Sequence, residues 1–171
     1  MPRNQFEIRS VEDMVKTNAM RLLEQAGIEY RVCEYEYDEN DLNGMHAAEK
    51  TGMPPDQVFK TLVVRGAKKG LFVFCIPVSA ELDLKKAARA AGDKNVEMIH
   101  VKELLPLTGY IRGGCSPIGM KKPYPVCLDE SAVLYPEIGI SAGERGVQLV
   151  LSPEALADYL GAKLEDITAV K

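Results

Sequence analysis

The sequence is poor in the side chains and segments that several common classes of protein require. Its 171 residues include two histidines, and neither accompanies a nucleophile-elbow motif, which argues against a Ser–His–Asp triad. No apolar run approaches the roughly 20 residues of a membrane helix, since the longest, Leu71 to Val78, is the size of a strand. Met1 to Glu12 lacks the apolar core of a signal peptide. We therefore expect a cytoplasmic protein with no membrane partner.

Cysteines are few and widely spaced, at positions 33, 75, 115 and 127, with no CxxC pair. With only His46 and His100 beside them, a structural zinc site is not expected, and we predict neither a metal nor a cofactor. Cys33 and Cys75 lie in strand-like runs and are expected to be small core residues. Cys115 lies in a glycine-rich loop near basic residues that lower a thiol pKa, so a nucleophilic or redox role for it stays open.

Charge is unevenly distributed along the chain. The net charge of −4 argues against a generally basic nucleic-acid binder. From Lys60 to Lys94, however, eight basic and three acidic residues give a net charge of +5, whereas twelve acidic and six basic residues precede Lys60. The simplest interpretation is a solvated helix face and a charged hairpin turn. The alternative is a local positive potential that attracts a polar partner.

One strand carries a charge that calls for an explanation. The run Val58 to Val64, with sequence VFKTLVV, alternates as a strand does and is apolar on both faces. Lys60 shares one face with Leu62 and Val64. An ammonium there must reach water, find a partner or face a cleft.

Apolar periodicity and turn residues predict a series of helices and strands. Helices are predicted from Ser10, whose side chain can cap it, to Gly27, over Gly44–Thr51, over Leu84–Ala91, as one turn over Val101–Leu105, and from Ser152 to about Leu160. Strands are predicted over Ile28–Tyr35, Val58–Val64, Leu71–Val78, Val96–Ile99, Val126–Leu128, Ile138–Ile140 and Val147–Leu151. Residues 38–43 are expected to be a loop, and Lys163 to Lys171 a short tail. This order predicts an α+β fold, with a mixed or mostly antiparallel sheet, in a single domain spanning residues 1–171.

Two glycine-rich stretches are candidate binding loops. Three glycines and a proline between Arg112 and Lys122 specify a tight backbone path that can approach a ligand closely, although a wide surface turn is the alternative. The stretch is not a phosphate-binding P-loop, because the GxxxxGK[ST] pattern is absent. The run Ile140 to Gln148 is predicted to contain a Ser-Ala-Gly turn that presents the Ser141 hydroxyl and neighbouring amides. A plain strand–turn–strand connection explains it nearly as well.

Together, these stretches resemble the YbaK/EbsC family, bacterial aminoacyl-tRNA deacylases related to the editing domain of prolyl-tRNA synthetase. The resemblance rests on the runs Pro55–Val64, Leu82–Lys86, Thr108–Tyr110, Gly113–Gly114, Ser116–Gly119, Ile140–Gly143 and Arg145–Gly146. Their order and spacing hold from about Tyr30 to Ile167. Within the family, the sequence is most similar to the Cys-tRNA(Pro) deacylase branch.

The resemblance implies a curved mixed β-sheet with helices around a cleft, and a set of site residues. The family's essential lysine falls on Lys60, which the resemblance makes the catalytic residue. The substrate-binding positions that it implies are Tyr35, Thr61, Gly113, Gly114, Ser141, Gly143 and Gln148. Some members carry an acidic residue where this chain has Gln148, which leaves an acid–base role at that position in doubt.

The resemblance also implies a mechanism and partners. The thiol of the mischarged cysteine attacks its own ester carbonyl and releases tRNA and a cyclic thiolactone. The partners are the aminoacylated 3′ end of tRNA and prolyl-tRNA synthetase, in a ternary complex. Two alternatives stay open at this point: a deacylase for alanine or serine esters, and a non-catalytic module that binds tRNA or a synthetase.

Overall fold

The computed structural model describes residues 6–9 and 16–169, and it describes side chains for residues 16–169. The strands are β1 (Phe6–Arg9), β2 (Arg31–Tyr35), β3 (Phe59–Gly66), β4 (Leu71–Pro77), β5 (Val96–Met98), β6 (Val126–Asp129), β7 (Ile138–Glu144), β8 (Val147–Leu151) and β9 (Lys163–Glu165). The helices are α1 (Asn18–Gln25), α2 (Gly44–Thr51), α3 (Leu84–Ala91), α4 (Val101–Thr108) and α5 (Pro153–Leu160), with a 3-10 helix over Glu130–Leu134. None of the helices described has the length and apolar character needed to cross a membrane.

The strands form two sheets that meet beside the lysine-bearing strand. The first has the order β1-β2-β8-β7 and is antiparallel throughout. The second has the order β5-β3-β4-β6-β9, with antiparallel pairs on both sides of β3 and parallel pairs on both sides of β6. A parallel bridge between Val58 and Gly139 joins the two sheets, and the amide of Gly139 donates to the carbonyl of Gln57 at 3.0 Å. The predicted α+β class is confirmed.

Strand β3 lies between two apolar clusters, as its alternation predicts. Phe59 and Val63 are buried in the larger cluster, which includes residues of both sheets, α1 and α5. Val64, with Leu62 packed beside it, belongs to a second cluster against α3. Both faces of β3 therefore lose water by burying apolar side chains. Its two charged residues lie near its ends, Arg65 paired with Glu103 at one end and Lys60 at the other.

Three helices begin and end where their capping residues predict. The side chains of Asn43, Asp83 and Ser152 accept hydrogen bonds from first-turn amides of α2, α3 and α5, at 2.8–3.2 Å. Gly52, Gly92 and Gly161 follow these helices with left-handed backbone angles. These contacts satisfy amides and carbonyls that have no partner within the helix.

Other bounds differ from those predicted. The predicted helix start at Ser10 lies outside the described residues, and α1 begins after Thr17, whose hydroxyl accepts from the amide of Met20. Strand β2 begins at Arg31 rather than Ile28. Helix α4 continues past Pro106 to Thr108, because a proline removes only one intrahelical bond and the amide of Gly109 still donates to the carbonyl of Leu105 at 2.9 Å.

The predicted tail after residue 162 is partly a strand. Residues of β9 pair in parallel with β6, and the buried carboxylate of Asp129 accepts from the amide of Ile167 at 3.1 Å. The ammonium of Lys86 on α3 donates to the carboxylate of Asp166 at 2.9 Å and to the carbonyl of Thr168 at 2.8 Å. These contacts fix the segment after α5 against the second sheet.

Candidate active site

A cavity of about 400 Å³ lies where the two sheets meet. Its walls come from the end of β2, the loop and helix α2 that follow it, the start of β3, the loop around Gly113, and the hairpin of β7 and β8. Six of the eight predicted site residues line it: Tyr35, Lys60, Thr61, Gly113, Ser141 and Gln148. Residues from opposite ends of the sequence are thus brought together at one concave surface.

Lys60 carries its charge into this cavity from the second residue of β3. The side chain is half-buried, and burial lowers the pKa of its ammonium, an effect that the nearby carboxylate of Glu81 opposes. No ion pair of the described residues includes Lys60 at contact distance. Its positive charge is therefore available to a ligand in the cavity.

Ser141 reaches the cavity because β7 is irregular there. The sequence predicts that Ser141, Ala142 and Gly143 form a turn after the strand, but β7 continues through them to Glu144. A bulge lies between Ser141 and Glu144 in the pairing with β8. The hydroxyl of Ser141 accepts from the amide of Gly143 at 3.1 Å, which leaves its own proton free to donate to a ligand.

Tyr35 and Gln148 form a polar wall on the first sheet. Burial raises the pKa of the Tyr35 phenol, while hydrogen bonds with the backbone of Gly146 and the side chain of Gln148 oppose the rise. Gln148 pairs with Ser141 across the β7–β8 ladder and is only 6% exposed. Its Oε1 atom has no hydrogen-bond partner among the described residues, so it can accept a bond from a ligand.

Two predicted glycines support the site without lining it. Gly114 is buried, and a Cβ atom there would lie 3.0 Å from the amide nitrogen of Arg145. Gly143 has a φ of +99°, and a Cβ atom there would lie 2.9 Å from the ring of Tyr110. Both positions let the loops approach each other closely. Gly113, by contrast, lines the cavity itself.

Cys115 lines the cavity with a thiol that is not activated. Burial raises its pKa to about 12, so at neutral pH it remains protonated. The expected burial of Cys33 and Cys75 is confirmed, because each is at most 3% exposed. The hydroxyl of Thr61, also at the cavity wall, lies 3.8 Å from the Cys75 sulfur.

Several polar residues that were not predicted as site residues also line the cavity. These are Tyr37, Asp41, His46, Lys50, Arg112 and Arg145. His46 and Lys50 are four residues apart on α2 and so lie on one helix face, a spacing that marks them as a pair once the helix is placed against the strand. Arg145 adjoins the glycine of the β7–β8 turn.

The charge of the cavity is opposite to that of the whole chain. Four lining residues are basic, Lys50, Lys60, Arg112 and Arg145, and Asp41 is the one acid among the described lining residues. The wall therefore carries a net +3 while the chain carries −4. Only Lys60 comes from the basic region between residues 60 and 94. The other three basic residues of the wall, Lys50, Arg112 and Arg145, lie outside that region of the sequence.

No triad is assembled in the cavity, although a serine, a histidine and an aspartate all line it. His46 Nδ1 and the carboxylate of Asp41 share a close hydrogen bond, which lowers the pKa of Asp41. No hydrogen bond between His46 and Ser141 is found among the described residues, and the Ser141 hydroxyl instead accepts from Gly143. The described residues also contain no cluster of metal-ligating side chains.

Solved structures share this fold. A protein described as a proposed trans-editing enzyme for prolyl-tRNA synthetase superposes with a TM-score of 0.75 and 28% identity, over 91% of this chain and all of that one. The hypothetical protein APE2540 superposes with a TM-score of 0.79 at 22% identity, over 87% of this chain and 97% of that one, which supports the fold alone. The α+β architecture of this chain is thus shared with solved structures, one of which is described as a trans-editing protein.

The sequence comparisons define the family. Residues 45–159 match the model of the aminoacyl-tRNA editing domain, and the chain belongs to that family. A relative from Enterococcus faecalis, described as a proposed Cys-tRNA(Pro)/Cys-tRNA(Cys) deacylase named EbsC, is 49% identical over 153 residues. That alignment covers 90% of this chain and 93% of the relative. The resemblance drawn from the sequence motifs is confirmed.

Proposed function

We propose that this chain is a single-domain, cytoplasmic aminoacyl-tRNA deacylase that clears mischarged Cys-tRNA(Pro) in trans. One observation supports this most directly: Lys60 and five further predicted site residues line a single positively charged cavity. The described function of the Enterococcus relative supports the choice of substrate. The cavity is large enough for an aminoacyl ester at the end of a ribose, and its charge suits the phosphodiester chain attached to that ribose.

Lys60 acts on the ester through its charge. Its ammonium stabilises negative charge that develops on the carbonyl oxygen or on the departing ribose oxygen. Because partial burial removes competing water, a charge–charge interaction in the cavity is stronger than it would be in bulk solvent. The lowered pKa of Lys60 also makes its ammonium a better proton donor.

The nucleophile is the thiol of the substrate cysteine. Its sulfur attacks the carbonyl carbon of the same residue, the bond from that carbon to the ribose oxygen breaks, and the thiol proton ends on the ribose oxygen. The products are tRNA with a free hydroxyl and a small-ring thiolactone, which water later opens. Gly113, Ser141 and Gln148 hold the aminoacyl group bent for this attack, and orientation of this kind is worth about 7–11 kcal/mol in favourable cases.

A substrate nucleophile fits a cavity whose own nucleophiles are inactive. The Cys115 thiol, with a pKa of about 12, supplies almost no thiolate at neutral pH. Ser141 has no hydrogen-bonded base among the described residues. The protein therefore contributes position and electrostatics.

The need for such an enzyme follows from the limits of substrate selection. A prolyl site that accepts proline rejects the similarly small cysteine by only about 1–3 kcal/mol, so a second, hydrolytic check improves accuracy. The net negative charge of the whole chain weakens its own attraction for tRNA. Recruitment by prolyl-tRNA synthetase, in a complex with the charged tRNA, compensates for this.

The decisive test is deacylation of Cys-tRNA(Pro) by Lys60→Ala. We expect turnover to fall by at least about a hundredfold, the scale of losing one charge that stabilises a transition state. Lys85→Ala, at an exposed lysine on α3, is the matched control and should keep full activity. Unchanged turnover in Lys60→Ala, with the fold verified by circular dichroism, would overturn the role of Lys60.

A second candidate is hydrolysis of alanine or serine esters, which lack a thiol. The His46–Asp41 pair favours it, because a histidine oriented by a carboxylate can activate water. A panel of tRNA(Pro) charged with cysteine, alanine, serine or proline separates the two. Cleavage of the alanine ester but not the cysteine ester, abolished by His46→Gln, would select the second candidate.

The remaining alternative is a binding module without catalysis. The feature that favours it is Gln148, a neutral residue in place of an acidic one, whose buried Oε1 atom has no partner among the described residues. Tight binding of Cys-tRNA(Pro) with no loss of the ester, with or without prolyl-tRNA synthetase, would select it.

A further inference from the structure

An exposed tyrosine stands between two basic residues at the mouth of the cavity. Tyr37 is 46% exposed and follows β2 by two residues. The neighbouring ammonium of Lys50 donates to the carbonyl of Glu36 at 2.8 Å, which holds it next to Tyr37. On the other side, Tyr37 lies against Gly146, the residue after Arg145.

The ring of Tyr37 is held in place by the β7–β8 turn. A Cβ atom at Gly146 would lie 2.8 Å from Tyr37 Cδ1 and 3.4 Å from Cε1, so the ring packs directly on the glycine backbone. Gly146 has a φ of +80°, which favours glycine at this turn. A large ring therefore lies against the turn and stays exposed, although apolar burial drives such rings inward.

The basic residues beside the ring form no contact ion pair among the described residues. The Nε atom of Arg145 donates to the carbonyl of Arg112 at 2.8 Å, which orients its guanidinium. Asp41, the one acid among the described lining residues, is bonded to His46, and the charge of Lys50 helps to lower its pKa. One carboxylate thus faces three basic side chains, which leaves a net positive charge for phosphates.

We propose that Tyr37, with Lys50, Arg112 and Arg145, forms a subsite for the unpaired nucleotides that precede the aminoacylated one. A base stacks on the Tyr37 ring, and the basic side chains bind the adjoining phosphates. Single-stranded RNA is bound by this combination of aromatic platforms and cations, and the stacking tolerates any base. The inference rests on the proposed function, since the RNA strand enters the cavity through this mouth.

The subsite separates two tasks. The cavity examines the amino acid, while Tyr37 and its basic neighbours hold a strand end that all tRNAs share. Because stacking acts on the nucleotide and not on the ester, losing it should weaken binding and leave the chemical step unchanged. This makes Tyr37 a positioning residue and distinguishes it from Lys60.

The test measures binding of a fluorescent RNA tetranucleotide, ACCA, to the full chain by anisotropy over a range of salt concentrations. This probe carries no aminoacyl group, so the measurement does not depend on catalysis. We expect Tyr37→Ala to weaken binding by about ten- to hundredfold and Tyr37→Phe to retain it. Tyr159→Ala, at a tyrosine that is 37% exposed on α5 outside the cavity, should bind as the unchanged chain does.

The salt dependence of binding tests the role of the basic residues. Lys50→Gln and Arg145→Gln should each weaken binding and lower the slope of log K against log salt by about 0.7, the value for one phosphate contact on a single strand. Arg89→Gln, at an exposed arginine on α3, is the control. Equal slopes in all of these proteins would show that the basic residues do not bind phosphate, which would overturn the proposal.

Further outcomes separate this inference from the proposed function. Failure of the unchanged chain to bind the tetranucleotide at low salt, or unchanged binding in Tyr37→Ala, would overturn the subsite. If ACCA binding depends on Tyr37 but no charged tRNA is cleaved, the subsite stands and the proposed function fails. If charged tRNA is cleaved with the same KM by Tyr37→Ala, the function stands and the subsite fails.

Discussion

The two ends of the same three strands carry opposite charge. At one end of β2, β7 and β8 lies the cavity, with a net charge of +3 among its lining residues. At the other end lies a groove lined by Glu24, Glu29 and Glu137, with Arg31 as its one base among the described lining residues. Arg31 is bonded to Glu137.

This contrast shows where a net charge misleads. Strand β2 begins at the acidic groove with Arg31 and ends at the basic cavity with Tyr35, only four residues later. Screening limits the reach of a charge to about 10 Å at 0.1 M salt, so each end acts on its own surroundings. An acidic protein can therefore offer an anionic strand one attractive surface and repel it from the opposite end.

Among the tests of this contrast between the two ends, the largest effect is expected from reversing a charge at the cavity. Arg112→Glu should raise the KM for charged tRNA by about tenfold or more at low salt, because it places an anion beside the phosphates. Arg31→Glu in the groove changes the net charge by the same amount and should shift KM by less than about twofold. Equal effects of the two substitutions would mean that net charge governs binding, and the contrast between the two ends would lose its meaning.

An intermediate effect is expected on stability. Burial lowers the pKa of Lys60, so the folded state holds its charged form less favourably than the unfolded chain does. This cost is fully present below the pKa of Lys60 in the folded state and disappears as pH rises towards the ordinary value of 10.5. Lys60→Met should therefore raise the Tm by a few degrees at pH 7, while activity is lost.

The groove again provides the control. Arg31→Met removes a base from an exposed ion pair, and such pairs are worth about 0–1 kcal/mol, so its Tm should barely change or fall slightly. Thermal denaturation of both variants at pH 7 and pH 10 measures the difference. A lower Tm for Lys60→Met at pH 7 would show that Lys60 stabilises the fold, contrary to the expected cost of its burial.

The smallest effect is expected from the thiols. Burial raises the pKa of Cys115 in the cavity to about 12 and also raises that of Cys33 on β2. We expect neither thiol to react measurably with iodoacetamide at pH 7 in the folded protein, and Cys115→Ser to keep activity within about threefold. Rapid modification of Cys115 that abolishes deacylation would instead support a thiol-based mechanism.

Local signals predict the elements that depend on local contacts. Asn43 and Gly52 mark the ends of α2 because a cap is formed by residues next to the helix. Strand β9 was missed because its three residues are exposed, and only the distant strand β6 makes them a strand. The continuation of β7 past Ser141 depends likewise on pairing with β8.

The candidate site likewise contains residues that local sequence signals predict and residues that only distant contacts bring together. Motifs lead to Lys60 and Ser141 because glycines and an isolated lysine in an apolar strand are visible in one dimension. Tyr37 is an ordinary residue in the sequence, and Arg112 and Arg145 are noticed there only as neighbours of glycine motifs. The approach of the turn at Gly146 to the end of β2 places these residues around one opening. Sequence motifs alone therefore could not assign these residues to one site.

The bridge between Val58 and Gly139 also bears on the candidate site. Lys60 lies two residues along the chain from Val58, and Ser141 lies two residues from Gly139, so one backbone contact holds together the two strands that carry these side chains. A Cβ atom at Gly139 would lie 3.1 Å from Oε1 of Gln148 and 3.4 Å from the sulfur of Met53, so alanine at this position would press on the Gln148 amide. The glycine at this bridge thereby leaves that amide the space it occupies in the cavity wall.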